Sequence, residues 1–144
     1  MANEKVLLVD DEEQFTTLLA ERMEARGLTV HTAASGAEAL KRVETGESYD
    51  AVILDVSMPG MDGIETLKRM LAVNPDLQII LLTGNATMQQ GIEAVKLGAR
   101  EVLEKPADLS GLMAKISAAG TDRVVLAEKR LGKQIADIIG TKGW

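Results

Sequence analysis

The chain has 144 residues, a formal net charge of −6 and no cysteine. Its length suits one domain with a substantial core, and the lack of cysteine excludes disulfides and thiolate metal sites. The acidic balance argues against a nucleic-acid surface, which needs clustered Lys and Arg. Because no apolar run reaches bilayer length and the amino terminus does not resemble a signal peptide, we expect a soluble, cytoplasmic protein.

Five short apolar runs are the candidate strands of the chain. Three of them are continuous and rich in β-branched residues, which favours strands that are buried on both faces of a parallel sheet. The runs are residues 6–9, 28–30, 51–54, 79–82 and 101–103.

Amphipathic stretches follow these runs and predict five helices. The first follows an acidic start at 11–13, which suits a helix amino terminus. Ser35 and Glu38 form a capping box that opens the second helix, which ends near Gly46. The third helix ends before Asn74 and the fourth at Gly98. The apolar positions at helical spacing in the first, third, fourth and fifth helices are Phe15, Leu18, Leu19, Met23, Ile64, Leu67, Met70, Leu71, Ile92, Val95, Leu97, Leu109, Leu112, Met113 and Ile116.

The alternation of strands and helices predicts an α/β fold. Strand–helix units at this spacing form a parallel sheet with helices on both faces, joined by right-handed crossovers. We therefore expect a single five-stranded sheet covered on both sides.

A sixth amphipathic stretch follows Gly120 and predicts a C-terminal helix at 121–140. Its apolar residues nearly fit a coiled-coil seam, but Glu128 interrupts the pattern and the stretch covers barely two heptads. The helix packs on the domain, pairs with another copy, or is a linker in a longer protein, so a monomer and a weak dimer are both open. The apolar residues are Val124, Leu131, Ile135 and Ile138.

Polar side chains follow the apolar ends of four strands. They are Asp10 and Asp11, Asp55, Thr83 and Lys105. Ligands bind where the carboxyl ends of parallel strands meet, so these groups should share one crevice. Three carboxylates with one lysine call for a hard divalent cation, Mg²⁺ first and Mn²⁺ as the alternative. Such a site can bind phosphoryl oxygens, and one carboxylate would be the nucleophile that forms an aspartyl phosphate.

Five segments resemble, in order and spacing, the signature of the response-regulator receiver family. They are VDDE at 9–12, DVSMPGMDG at 55–63, LTG at 82–84, GA at 98–99 and KP at 105–106. Each segment alone is a weak signal, but the set is specific. The resemblance covers about residues 4–119 and implies a flavodoxin-like (βα)5 three-layer sandwich with strand order 2-1-3-4-5.

The resemblance also implies a role for each residue of the crevice. Asp55 would be the phosphoacceptor. The metal would be held by Asp11, by Asp55 and by the backbone carbonyl of Ser57, and Asp10 would position it. Lys105 would contact the phosphoryl group.

Other positions would support the site or carry the switch. Thr83 would move toward the phosphoryl group, and Gly84 and Pro106 would support the loops around it. Ser57 and Asn85 occupy positions that tune dephosphorylation in members of the family. Val102 stands where many members have Tyr or Phe, so the aromatic half of the switch is missing.

These features predict a signalling phosphoacceptor rather than an enzyme with its own substrate. It would receive a phosphoryl group from a sensor histidine kinase or phosphotransfer protein and change its binding to a downstream protein, without contacting nucleic acid or membrane. A hydrolase of the haloacid-dehalogenase type is one alternative, although its nucleophile would stand on the first strand and its cap insertion is missing. A binding module that no longer accepts phosphate is the other. We expect a single-domain regulator, with the receiver of a longer protein as the alternative.

Overall fold

The computed structural model describes residues 3–56, 63–84, 88–105 and 107–140, with only the backbone described at 83, 88–90, 139 and 140. Five strands form one parallel sheet. They are β1 (Lys5–Val9), β2 (Thr29–Ala33), β3 (Ala51–Leu54), β4 (Ile79–Thr83) and β5 (Glu101–Glu104). Their order across the sheet is β2-β1-β3-β4-β5. The expected α/β class and strand order are therefore confirmed.

Helices alternate with these strands along the chain. They are α1 (Glu13–Ala25), α2 (Gly36–Glu44), α3 (Gly63–Val73), α4 (Met88–Lys96) and α5 (Leu109–Gly140). Ser35 caps α2 as expected, since its hydroxyl accepts the N–H of Glu38 at 3.1 Å. The Glu38 carboxylate accepts the N–H of Ala34, one residue before the cap, so the second bond of the capping box is shifted by one residue. Gly46 and Gly98 follow α2 and α4 with φ of +88° and +116°, a backbone conformation that glycine adopts without strain.

The core has two halves, one on each face of the sheet. Successive residues of a strand point to opposite faces. In β1, Leu7 and Val9 therefore join the half that is covered by α2, α3 and α4, while Val6 and Leu8 join the half that is covered by α1 and α5. This is a three-layer sandwich, and it leaves the carboxyl edge of the sheet for the site.

The predicted C-terminal helix is the continuation of α5, which runs for 32 residues without a break at Gly120. A Cβ atom at this glycine would lie 3.3 Å from Glu4 Cγ and 3.4 Å from Asp50 Cβ. Glycine therefore allows the helix to pass close to the start of β3 instead of ending it. Within the described ranges no helix is both long and apolar enough to cross a membrane.

The extension of α5 is its C-terminal part, residues 121–140. Ion pairs connect it to residues that directly precede β5 and β3 and to the loop before β4. The pairs are Asp122 with Arg100 at 2.6 Å, Arg123 with Asp50 at 2.9 Å, and Arg130 with both oxygens of Asp76 at 2.9 Å. The extension therefore lies at the amino-terminal edge of the sheet, opposite to the edge where the strand-end carboxylates are found.

Candidate functional site

Two buried carboxylates stand at the carboxyl ends of neighbouring strands. Asp10 is 2% exposed and follows β1, and Asp55 is 5% exposed and follows β3. The N–H of Asp10 donates to the carbonyl of Ala33, and the N–H of Asp55 donates to the carbonyl of Val9, so the sheet ladder fixes both backbones. Burial of a carboxylate is costly unless a cation or hydrogen-bond donors compensate its charge.

Asp11 lies at the exposed mouth of the crevice and completes a group of three carboxylates. One oxygen from each of Asp10, Asp11 and Asp55 lies within 4.8 Å of the other two. Oxygen atoms in this number and spacing suit a hard divalent cation. The structure thus brings together three of the four expected metal ligands. The fourth, Ser57, lies outside the described residues.

Lys105 reaches into the same crevice from the end of β5. Its Nζ donates to Asp10 Oδ2 at 2.6 Å and to Glu12 Oε1 at 2.8 Å. The distance from Nζ to Asp55 Oδ2 is 3.8 Å, which is an ion-pair distance but too long for a hydrogen bond. The ammonium therefore partly neutralises the carboxylates and stands beside Asp55.

Opposing effects act on the pKa of Lys105. Burial disfavours the ammonium and would lower the pKa, but the hydrogen bonds to Asp10 and Glu12 and the charge of Asp55 outweigh it, so the pKa is raised. The ring of Phe15 adds a further favourable contact, with its centroid 4.2 Å from Nζ. Lys105 therefore stays protonated at neutral pH.

The carboxylate of Asp10 uses both of its oxygens. Oδ2 binds Lys105, and Oδ1 accepts the N–H of Glu12 at 2.9 Å. Glu12 is the N-cap residue of α1, and its side chain makes no capping bond. Asp10 thus connects the lysine to the start of α1.

Glu12 and Phe15 belong to the site, although the sequence did not single them out. Glu12 is the third acidic residue after β1 and the last residue of the VDDE segment, but no role in the site was expected for it. Phe15 has the spacing of a core residue of α1, and its contact with Lys105 depends on how α1 sits against the end of β5.

Gly84, directly after β4, lies next to the lysine. A Cβ atom on Gly84 would lie 3.9 Å from Cδ of Lys105, so this residue borders the crevice. Thr83 ends β4 and pairs with Glu104 of β5, and only its backbone is described. The expected contributions of Asn85 and Pro106 fall outside the described residues.

Val102 lies on β5 and packs, half buried, against the core under α4. A Cβ atom on Gly91 of α4 would lie 3.8 Å from the Val102 side chain, so the helix backbone passes close by. A branched aliphatic side chain fills this space and has no polar end to place in water. Valine in place of an aromatic residue is therefore expected to change how the switch works, and this remains a prediction.

A doubly wound parallel sheet with carboxylates and a lysine at its carboxyl edge defines a flavodoxin-like α/β domain. The family model described as "Response regulator receiver domain" matches residues 6–117. The chain therefore belongs to the response regulator receiver domain family, a family of signalling proteins. This confirms the resemblance in the sequence and gives no support to the hydrolase alternative.

The chain is similar to most of one curated relative and to a smaller part of another. The chain is 40% identical over 109 residues to sporulation initiation phosphotransferase F of Bacillus subtilis (strain 168), which is 76% of this chain and 87% of that protein. It is 37% identical over 117 residues to the transcriptional regulatory protein ZraR of Escherichia coli (strain K12), which is 81% of this chain but 26% of ZraR. The chain thus spans about a quarter of ZraR.

A solved structure extends the similarity to the fold. It is a response regulator protein from Burkholderia pseudomallei with a phosphorylated aspartic acid, a calcium ion and citrate. The match has a TM-score of 0.74 and 31% sequence identity, and it covers 90% of this chain and 75% of that one.

Proposed function

We propose that Asp55 accepts a phosphoryl group from the phosphohistidine of a sensor histidine kinase or of a phosphotransfer protein, in a reaction that requires Mg²⁺ or Mn²⁺. One observation carries this proposal: a buried strand-end carboxylate lies within 4.8 Å of two further carboxylate oxygens and 3.8 Å from an ammonium. Such a crevice can bind a cation and an anion together, as phosphoryl transfer needs.

The donor set fits the cation. Asp10, Asp11 and Asp55 would hold it, with the Ser57 carbonyl as a further ligand. Carboxylate and carbonyl oxygens are what Mg²⁺ prefers, and Mg²⁺ keeps several waters instead of demanding a complete protein cage. When bound, the cation would neutralise charge on the phosphoryl oxygens.

The position of Asp55 favours it as the nucleophile. Asp55 follows the central strand β3, is 5% exposed, and has its backbone fixed by the bond to Val9. Asp10 is committed to Lys105 and to the N–H of Glu12, and Asp11 lies at the exposed mouth of the crevice.

The transfer itself would exchange one bond for another. An Asp55 oxygen attacks phosphorus, the bond from phosphorus to the donor's imidazole nitrogen breaks, and its electron pair stays on that nitrogen. The imidazole, which already carries a proton on its other ring nitrogen, leaves as the neutral ring. Lys105, which is protonated and near Asp55, would donate a hydrogen bond to a phosphoryl oxygen. The product adds negative charge beside Lys105 and Thr83, and this change would alter the binding of a downstream protein.

The relatives support this assignment. The Bacillus relative is named a phosphotransferase, and the Burkholderia structure holds a phosphorylated aspartic acid together with calcium, another hard divalent cation. ZraR is a transcriptional regulator, so the output of a longer relative is transcription. For this chain we propose that the output is a protein contact in the cytoplasm.

The test uses the purified chain, Mg²⁺ and acetyl phosphate, with intact-mass spectrometry as the readout. We expect one added phosphoryl group that is lost in hydroxylamine, and no addition without a divalent cation. Asp55→Asn should abolish the addition. Asp50→Asn is the matched control, because Asp50 precedes the same strand that Asp55 follows. Undiminished labelling of the Asp55→Asn variant would exclude Asp55 as the acceptor.

A further inference from the structure

The extension of α5 presents an apolar stripe that the described part of the domain leaves about half exposed or more. We define the C-terminal stripe as Val124, Leu131, Ile135 and Ile138, which are 46%, 58%, 49% and 67% exposed. We propose that this stripe is the seam of a homodimer, in which it packs against the same stripe of a second copy of the chain. The proposal goes beyond phosphoryl transfer and does not depend on it.

The domain holds a different side of the same helix. The side of α5 that faces the domain carries the buried residues Leu112, Ile116 and Ala119. Arg123 and Arg130 follow on the same side at helical spacing. These two arginines make the ion pairs with Asp50 and Asp76. Val124 and Leu131 each come one residue later, so the C-terminal stripe lies about 100° around the helix from the side that faces the domain.

The spacing of the stripe is that of a coiled coil. Val124, Leu131 and Ile138 are seven residues apart, and Ile135 lies four residues after Leu131 and three before Ile138. Alternating steps of three and four form a seam that an identical helix can fill with interlocking side chains. A seam of this kind is self-complementary, as a two-fold symmetric dimer requires.

The distribution of charge favours a second copy of the same helix. Glu128 is the one charged residue on the stripe side of the described segment 121–138. The other charged residues of the segment lie on the rest of the circumference and are Asp122, Arg123, Lys129, Arg130, Lys133 and Asp137. Two copies can therefore approach along the stripe without the repulsion that a basic or acidic flank would cause.

Gly132 provides an independent observation beside the stripe. It is an exposed glycine in the interior of a helix, where it weakens the helix, and a Cβ atom there would meet nothing within 4 Å. Nothing in the described part of the domain requires a glycine at this point. A second helix that packs next to Leu131 would find open space at this glycine.

Glu128 makes the dimer weak. A carboxylate at a seam position fixes the register of the two helices but lowers their affinity. The seam is also only two heptads long, which places the contact among small, transient interfaces. We therefore expect a dimer that forms with rising protein concentration rather than a permanent one.

The test is sedimentation velocity of the 144-residue chain from micromolar to millimolar concentration, without phosphoryl donor. We expect a monomer–dimer equilibrium. Leu131→Lys should weaken association at least about 100-fold, because each dimer loses two buried leucines. Glu128→Leu should strengthen it at least about tenfold. Ile135→Lys serves as a second seam variant, and circular dichroism shows whether each variant keeps its helix content.

Ile92→Lys is the matched control, because Ile92 is an exposed apolar residue of α4, outside the stripe. It should leave the association constant unchanged. A dimer that is lost in Ile92→Lys and kept in Leu131→Lys would overturn the proposal, and so would a wild-type chain and a Glu128→Leu variant that both stay monomeric at millimolar concentration.

Discussion

Lys105 and Asp10 form an ion pair of 2.6 Å in which the two side chains are only 12% and 1% exposed. Removal of one partner of such a pair leaves a buried charge that nothing compensates. We therefore expect Lys105→Met to lower the free energy of unfolding by about 3 kcal/mol when no divalent cation is present. Urea denaturation in the presence of a chelator measures this loss.

Added Mg²⁺ should restore more stability to the Lys105→Met variant than to the wild type, because the cation then supplies the charge that the lysine supplied. Lys115→Met is the control. The side chains of its ion pair with Glu101 are 36% and 34% exposed, so we expect a loss of less than about 1 kcal/mol and no dependence on Mg²⁺. Equal losses in the two variants would show that the Lys105 pair is an ordinary surface contact.

The raised pKa of Lys105 predicts a loss of stability at alkaline pH. Hydrogen bonds to Asp10 and Glu12 raise the pKa against the effect of burial, so the folded chain holds this proton more tightly than the unfolded chain. Its contribution is therefore complete below the unfolded value of 10.5 and is lost as the pH rises through the folded value. The difference in unfolding free energy between wild type and Lys105→Met, measured from about pH 9 to about pH 12, should shrink in that range. A difference that stays constant across the range would contradict the assignment.

The strand-end residues of the site could be predicted from the sequence because topology determines where they lie. In a parallel sheet every residue that follows a strand reaches the same edge, whatever the details of packing. This is why Asp10, Asp55 and Lys105, far apart in the chain, were expected together and are found within ion-pair distance. Glu12 and Phe15 were missed because their contacts with Lys105 depend on how α1 packs, which no local pattern reveals.

The other differences between sequence and structure also have physical causes. β2 is an edge strand that extends to Ala33, beyond the predicted end at Val30, because His31 and Thr32 pair with β1 although neither is strongly apolar. The helix α5 continues through Gly120, where a break was expected. Close packing against Glu4 and Asp50 stabilises the helix there and overrides the low helix propensity of glycine.

An apolar groove lies beside the site and suggests where a protein donor docks. The groove has a volume of about 210 Å³ between α1 and the start of α5, and its lining includes Phe15, Leu18 and Leu109. Phe15 also contacts the Lys105 ammonium, so the groove and the crevice share a residue. We expect a donor protein that brings its phosphohistidine to Asp55 to contact this groove.

Leu18→Lys should therefore separate protein donors from small donors. Leu18 is 49% exposed in the groove, and it takes no part in the hydrogen bonds and ion pairs described for the crevice, so a lysine there should leave the fold and the reaction with acetyl phosphate unchanged. Transfer from a purified histidine kinase that phosphorylates the wild-type chain should slow at least about tenfold, because a docking contact of one leucine is lost. Val73→Lys, at an equally exposed apolar residue at the end of α3, should not affect either reaction. If Leu18→Lys slowed both donors alike, the groove would serve the chemistry or the fold; if it slowed neither, the donor would dock elsewhere.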